Sequence, residues 1–359
     1  MSTAIKKLDV EAFLDLGQSH PIIDVRTPAE FARGHIPGAI NVPLFSNEER
    51  AMIGTIYKQV GPNEAMLLGL ELVGPKMRAL IEQVQAEAAE STVLVHCWRG
   101  GMRSESVAWL AGLFGYQTYT LRRGYKGFRN HVLQTLATPR QIFILGGKTG
   151  SGKTEILREL QQRGQQVIDL EALAHHKGSA FGGLGEPCQP TQQQFENELA
   201  GQWRRLDPQR PVWLEDESRN IGQLEIPLAV WQQMQQAITL FIEVPVLLRN
   251  RYLVEEYGHL SQPAAKDAIE RLQKRLGHRN AQLALKALDA NDFTTCCDIL
   301  LRHYYDKTYT RSLSRRNSAL VHHIEFDSID AARNAEQLLA FVEAALPPSS
   351  TAINQHQAS

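Results

Sequence analysis

The chain has 359 residues, enough for two ordinary domains that each bury a core, and its 43% hydrophobic and 21% charged content is that of a soluble, globular protein. A formal net charge of -1 excludes bulk electrostatics as a basis for nucleic-acid binding, so any RNA site must be a local patch. No stretch approaches the roughly 18 uninterrupted apolar residues of a membrane helix, and residues 1–13 (MSTAIKKLDVEAF) lack the apolar core of a signal peptide. Cys97, Cys188, Cys296 and Cys297 form no C-x-x-C pair and are too few for a disulfide framework. The expectation is a cytoplasmic protein with free thiols and no membrane association.

Pro21-Ile22-Ile23-Asp24-Val25 is a short apolar run bounded by a proline, as a buried strand requires. Thr27-Pro28-Ala29-Glu30 then opens a helix, with Thr27 as N-cap, Pro28 at the first helical position and Glu30 reaching back in a capping box. A second strand over 91–96 ends at Cys97, a helix over 103–114 places Val107, Leu110 and Phe114 at helical spacing, and a third strand covers 117–121. The alternation predicts an α/β domain over 1–137, its parallel sheet covered by helices.

The loop after the second strand carries Cys97, Trp98, Arg99, Gly100, Gly101, Met102, Arg103 and Ser104. Successive amides turned inward around Cys97 make an anion nest. The nest and the helix dipole lower the thiol pKa, so that a thiolate forms near neutral pH, and Arg99 and Arg103 add positive charge. Such a site attacks or carries sulfur or selenium, or holds a phosphate oxyanion; the alternative is a buried structural cysteine. Cys188, Cys296 and Cys297 lack this setting and read as structural, with Cys188 alone placed to act as a second thiol. Just before the linker, Arg122, Arg123, Tyr125, Lys126, Phe128 and Arg129 interleave bases with aromatics, a pattern suited to phosphates and stacked bases of RNA.

Thr138-Pro139-Arg140 reads as a linker into a second α/β domain over 138–346. Its first strand, at 141–145, runs into Gly147-Lys148-Thr149-Gly150-Ser151-Gly152-Lys153-Thr154, which matches G-x-x-x-x-G-K-[ST] and precedes a predicted helix from Lys153 to Arg163. The glycines let backbone N–H groups turn toward one anion, Lys153 adds a point charge, and the helix N-terminus adds its dipole. The Thr154 hydroxyl is placed to hold magnesium. Further strands are predicted at 167–169, 212–214, 240–242 and 323–326. Asp169, Glu215 and Asp216 at strand ends are candidate magnesium or ligand acids, and His175, His176, Lys177 and Ser179 follow Asp169 toward the ligand crevice. No structural metal site is evident.

Residues of about 246–311 form a helical insertion with a break near Ser261-Gln262-Pro263. A second basic group, Arg271, Lys274, Arg275, His278 and Arg279, falls largely on one helical face, and a third comprises Arg311, Arg315 and Arg316. Residues 347–359 are polar and predicted to be a disordered tail.

The first ~130 residues resemble the rhodanese family through Ile23-Asp24-Val25-Arg26, Glu30-Phe31, the stretch Gly34 to Pro43 and Val95-His96-Cys97. In that family Asp24 and Arg26 would be framework residues and the cysteine a persulfide carrier. Sulfur-transferring rhodaneses place four residues between cysteine and closing arginine; here Trp98 to Met102 makes five, the length found in phosphatase-like relatives, and a wider loop accepts a bulkier group. Apart from the tail, the whole chain resembles the tRNA 2-selenouridine synthases, which fuse a rhodanese domain to a P-loop domain in this order. The resemblance rests on Cys97 to Ser104, Gly124-Tyr125-Lys126, Gly146 to Thr154, Asp169-Leu170-Glu171 with His175 and Gly178 to Gly182, and Glu215 to Arg219.

The resemblance implies a two-step replacement at a wobble uridine of tRNA. Geranyl diphosphate alkylates the sulfur of 2-thiouridine, then selenophosphate delivers selenium as geranylthiol leaves, with Cys97 carrying selenium as a selenylated cysteine. No tightly bound cofactor is expected: geranyl diphosphate and selenophosphate are co-substrates, magnesium is a candidate ion at the P-loop, and a selenophosphate-supplying enzyme is a candidate partner. The rival readings are a sulfurtransferase fused to an ATP- or GTP-dependent small-molecule kinase, and a regulatory module that pairs an inactive rhodanese fold with a nucleotide-sensing P-loop.

Overall fold

The computed structural model describes residues 5–88, 91–179, 181–257, 262–314 and 316–345. The predicted tail at 347–359, Arg315 of the third basic group and Ser261 of the expected helix break lie outside them. The chain divides into two compact units: Met1–Thr138 together with Pro190–Arg204, and Pro139–Gln189 together with Arg205–Ser359.

The first unit holds a five-stranded sheet of β1 (Lys6–Leu8), β2 (Ile22–Asp24), β3 (Ile40–Asn41), β4 (Thr92–His96) and β5 (Gln117–Leu121), in the order β1-β5-β4-β2-β3 and parallel throughout. Its helices are α1 (Val10–Leu16), α2 (Pro28–Arg33), α3 (Asn47–Gln59), α4 (Pro62–Val73), α5 (Met77–Glu87), α6 (Met102–Leu113) and α7 (Gly124–Ala137). The expected capping box forms: Glu30 N donates to Thr27 Oγ1 at 3.3 Å and Thr27 N to Glu30 Oε2 at 3.0 Å. Ile23, Val93, Val95 and Val107 lie in one core cluster. Asp24 and Arg26 form a fully buried ion pair, with Arg26 Nε 2.9 Å from both carboxylate oxygens. Arg26 also donates to Gly34 O at 2.8 Å and lies 3.7 Å from the centre of the Tyr125 ring. One arginine thus fixes the end of β2, the turn after α2 and the start of α7.

The second unit is built on β6 (Ile142–Gly147), β7 (Gln166–Val167), β8 (Val212–Glu215), β11 (Ile238–Glu243) and β12 (Val321–Glu325), ordered β12-β11-β6-β8-β7 and again all parallel; β9 (Asn220–Ile221) and β10 (Leu224–Glu225) pair as a separate antiparallel ribbon. The central strand β6 leads into α8 (Lys153–Gln162). The strand expected at 167–169 stops earlier, because Asp169 caps α9 (Leu170–Ala174) by accepting from Ala172 N at 2.7 Å. The helical insertion is present as α12 (Val246–Tyr257), α13 (Gln262–Leu276), α14 (His278–Asp289), α15 (Phe293–Leu300), a π turn over Leu301–Tyr305 and α16 (Asp306–Leu313). Between β10 and β11 lies α11 (Leu228–Gln235), and α17 (Ala331–Ala345) follows β12.

The remaining helix, α10 (Gln192–Arg205), follows α9 in the chain but packs with the first unit, so the expected division at 137/138 is incomplete. Its buried face carries Phe195, Asn197, Leu199 and Trp203. Asn197 Nδ2 donates to His35 O and to the Tyr125 hydroxyl, both at 2.8 Å, and its Oδ1 accepts from Arg129, which also pairs with Glu196. Trp203 Nε1 donates to Thr138 O at 3.2 Å. An amphipathic pattern shows that a helix has a buried side but not which core receives it.

His96, opposite Asp24 in the β2–β4 register, is fully buried between Phe13 and Tyr125, and burial pushes its pKa down to about 4. The native imidazole therefore stays neutral, whereas the unfolded one takes a proton as pH falls through 6.5. Stability from this residue is complete above that pH and is lost progressively as pH drops toward about 4. Urea unfolding of the full chain should show a loss of about 2 kcal/mol between pH 6.5 and pH 5 that His96→Asn removes. An unchanged pH slope in the variant would assign the loss to other groups.

Candidate functional site

In the first unit, β4 delivers Cys97 to the carboxyl edge of the sheet, and the chain turns directly into α6. The Cys97 side chain is buried at 3% exposure, with Sγ 3.3 Å from Ser104 Oγ and 3.9 Å from Gly101 O. Ser104 Oγ also lies 2.9 Å from Gly101 O, so its single proton can turn to the sulfur when a thiolate forms. Burial alone would push the thiol pKa up. The Ser104 hydroxyl, the loop backbone at Gly101 and Arg99, and the charge of Arg103 outweigh it and hold Cys97 below its ordinary value.

The loop is strapped from behind by the start of α7, where Tyr125 N donates to Cys97 O at 2.8 Å and Lys126 N to Trp98 O at 2.9 Å. Gly100 and Gly124, at φ 67° and 53°, sit back to back so tightly that a Cβ on either would overlap the other's backbone. Gly124-Tyr125-Lys126 therefore shapes the cysteine loop. Of the two arginines expected to face an anion, Arg99 is exposed, whereas Arg103 is held by Glu30 at 2.9 Å. Trp98 packs near Tyr125, 5.8 Å between ring centres, and Met102 is exposed at the head of α6.

The expected RNA patch beside this loop is corrected in part. Tyr125 and Phe128 are core residues at 0% and 3% exposure and cannot stack on a base, and Arg129 is committed to Glu196 and Asn197. Arg122, Arg123 and Lys126 stay exposed. In the second unit Arg271, Lys274, Arg275, His278 and Arg279 are all exposed along α13 and the start of α14. Arg316, of the third group, is instead buried in an ion pair with Asp216 and donates to Thr239 Oγ1 at 3.0 Å.

The P-loop lies between β6 and α8, as the motif requires. Gly152 caps α8 with φ 75°, a conformation other residues rarely adopt. Lys153 Nζ donates to Gly147 O at 2.9 Å and sits 5.5 Å from the centre of the Tyr309 ring. Burial would lower the lysine pKa, but Tyr309, Glu171, Glu217 and Asp216 together raise it, so the ammonium stays charged. Ser151 Oγ is buried with no hydrogen-bond partner among the described residues. A chamber of about 940 Å³, mouth included, opens in front of the loop; Thr149 to Thr154, Asp169, Glu171, Lys177 and Tyr309 contribute to its wall. His176 and Ser179 line it as expected, while His175 turns away, its Nδ1 3.0 Å from Cys188 O.

The acids after β8 are arranged differently from the expectation. Asp216 is taken up by Arg316, and Glu215 is buried with Oε1 accepting from Glu171 N at 2.8 Å. Glu215 Oε2 is buried without a hydrogen-bond partner among the described residues, and Asp216 is held by Arg316. Glu171 and Glu217 occupy the place beside Lys153 instead. Burial and the Glu171 carboxylate raise Glu217 well above the ordinary range, and burial also raises Glu171, against the pull of Lys153. No group of three or more His, Cys, Asp or Glu among the described residues is arranged to hold a metal by itself. The motif singles out Lys153 and Thr154, and Glu171 and Glu217 fall within the stretches that carry the family resemblance, but Tyr309 has no sequence signal. Arg249 is equally unmarked; it is 2% exposed, donates to Thr149 O at 3.2 Å and grips Asp306 through two bonds of 2.9 Å, tying the P-loop to α16.

The profile of the "tRNA 2-selenouridine synthase AAA domain" matches residues 140–338, and that of the rhodanese-like domain matches residues 8–131. Over 343 residues the chain is 36% identical to a protein of Hydrogenovibrio crunogenus named tRNA 2-selenouridine synthase, covering 86% of this chain and 93% of that one. Proteins of the same name from Bdellovibrio bacteriovorus and Nitrosomonas europaea are 34% and 32% identical, covering 84% and 82% of this chain and 90% of each relative.

Because Ser104 stabilises the thiolate, Ser104→Ala should move the Cys97 titration to higher pH. The measurement is thiolate absorbance against pH, taken as the difference from Cys97→Ser. A midpoint that stays in place would mean that the loop backbone and Arg103 alone set the thiol.

Proposed function

Because the chain belongs to the tRNA 2-selenouridine synthase family, we propose that it converts a wobble 2-thiouridine of tRNA to 2-selenouridine through an S-geranyl intermediate. The observation that carries the reading is the presence, on one chain, of two anion-binding strand-to-helix turns of different chemistry. One presents a thiol of lowered pKa, the other a charged lysine in a roomy chamber.

In the first step the sulfur of 2-thiouridine attacks C1 of geranyl diphosphate. A carbon–sulfur bond forms, the carbon–oxygen bond breaks, diphosphate leaves with the electron pair, and the N3 proton of the base is lost. Diphosphate has the charge and length of the β/γ portion of ATP, so the P-loop amides and Lys153 suit it. Negative charge grows on the leaving group, and Lys153 stabilises that charge more in the transition state than in the ground state. Thr154 and Glu171 are the residues present to hold a magnesium ion beside it. In the second step selenium from selenophosphate attacks C2 of the alkylated base, geranylthiol leaves, and water removes the phosphoryl group as phosphate. Alkylation matters because a thiocarbonyl sulfur is a poor leaving group and a thioether a better one. The Cys97 loop is assigned to selenophosphate: its amides hold the phosphate oxygens, and Cys97 gives its thiol proton to the departing geranylthiolate, in place of carrying selenium itself. Free thiols suit a reducing cytoplasm, and an enzyme that makes selenophosphate is the natural supplier.

The exposed cations Arg122, Arg123 and Lys126 are the first candidates for tRNA phosphates, and the Arg271 to Arg279 surface the second. Replacing Arg122, Arg123 and Lys126 together by alanine should weaken tRNA binding and flatten its salt dependence, since each lost phosphate contact lowers the slope by about 0.9. An unchanged slope would move the RNA to the Arg271 to Arg279 surface.

The two steps separate by variant. Cys97→Ala should abolish selenium incorporation and leave geranylation largely intact. Lys153→Ala should slow geranylation about a hundredfold or more and spare selenation of tRNA supplied already geranylated. Both half-reactions are measured with and without ATP. Strict ATP dependence of geranylation with stoichiometric ADP release would overturn the donor assignment in favour of a kinase, and equal failure of Cys97→Ala at both steps would end the division of labour.

A further inference from the structure

Selenation leaves one bond without a catalyst. When geranylthiol has gone, selenium still carries the phosphoryl group, and the selenium–phosphorus bond must break to complete 2-selenouridine. The Cys97 loop is built around that position. Among the described residues the backbone N–H groups of residues 98–103 have no backbone acceptor, and Ser104 N is the first to find one, Gly101 O at 3.0 Å. A run of open amides at the head of α6 suits the three oxygens of a phosphoryl group. Two of these amides, those of Arg99 and Gly101, also bond the Cys97 sulfur, so oxygens held there bring phosphorus up to Sγ. Arg103 adds a fixed charge, because Glu30 grips its guanidinium through two bonds of 2.9 and 3.4 Å. Residues 97–104 contain no carboxylate or imidazole to activate a water directly.

We propose that Cys97 is the nucleophile that removes this phosphoryl group, so that each turnover passes through an S-phosphocysteine. The proposal rests on the selenation reading given above and extends it by one covalent step. Having given its proton to geranylthiolate, Cys97 is left as a thiolate. Its lone pair attacks phosphorus on the side opposite selenium. The sulfur–phosphorus bond forms as the selenium–phosphorus bond breaks, and the bonding pair leaves with selenium as the 2-selenouridine anion, which takes a proton from solvent at N3. Water then attacks the same phosphorus and the sulfur–phosphorus bond breaks. Phosphate leaves, and one hydrogen of that water ends on Cys97, restoring the thiol for the next cycle. Selenium and phosphorus keep their oxidation levels throughout, so no oxidant or reductant takes part. Ser104 Oγ, 3.3 Å from Sγ, donates to the sulfur as negative charge returns to it, which makes the second displacement the step that depends on Ser104.

The test follows the full-length chain with S-geranyl-2-thiouridine tRNA and selenophosphate, stopped in alkali and read by mass spectrometry of the Cys97 peptide and of the nucleosides. In Ser104→Ala the breakdown of the intermediate should slow at least about tenfold, so that 2-selenouridine forms in a burst of about one per chain while a phosphoryl group accumulates on Cys97. Product formation without a burst and with Cys97 unmodified would overturn the proposal, as would selenium on Cys97 in place of phosphorus. If Ser104→Ala does not fold, the wild-type chain decides. Thioselenophosphate made chiral at phosphorus with two oxygen isotopes, turned over in water of the third, should give thiophosphate of retained configuration, because two in-line displacements cancel. Inverted configuration, the mark of a single attack by water, would overturn the phosphocysteine and leave the selenation reading in place. A wild-type chain that makes no 2-selenouridine from these substrates would overturn the selenation reading itself.

Discussion

A parallel sheet delivers the carboxyl end of each strand, and the amino end of the helix that follows it, to one edge. Both sites depend on that geometry. At the end of β4 the turn into α6 carries a cysteine, and at the end of β6 the turn into α8 carries a lysine. In each, backbone N–H groups and a helix N-terminus supply the positive field, and one side chain decides the chemistry. The field reaches the reacting atom only if the turn holds its shape. The contact of Gly100 against Gly124 does this in the first unit, and Arg249 does it in the second.

Electrostatics then divides the two sites by protonation state. Around Cys97 the hydroxyl of Ser104 and the loop backbone overcome the cost of burial and favour an anion. Around Lys153 the Tyr309 hydroxyl and the neighbouring acids, Glu171 and Asp216 among them, keep the ammonium charged, while burial and the Glu171 carboxylate hold Glu217 toward its neutral form. The same desolvation acts on both sets of groups; the partners within reach determine which charge survives.

Much of this was legible in sequence because it is local. The capping box at Thr27, the strand leading into Cys97 and the strand–loop–helix context of the P-loop each follow from residues a few positions apart, and all are present. The errors arose where the deciding partner is distant in the chain. Tyr125 has the pattern of a base-stacking residue, but Arg26 and Asn197, far away in sequence, enclose it, and the Arg316 partner of Asp216 lies 100 positions on. The strand at 167–169 was overridden locally, because Asp169 prefers to cap α9. The placement of α10 with the first unit was beyond any pattern, since amphipathicity names a face and not its destination.

The central claim is that sulfur must be alkylated before selenium can replace it. The direct measurement is mass spectrometry of nucleosides from 2-thiouridine tRNA incubated with the wild-type chain and magnesium, without ATP, as the two small substrates are added singly and together. Geranyl diphosphate alone should accumulate S-geranyl-2-thiouridine, selenophosphate alone should give no product, and the pair should give 2-selenouridine with geranylthiol released in equal amount. Formation of 2-selenouridine from selenophosphate alone would contradict the account.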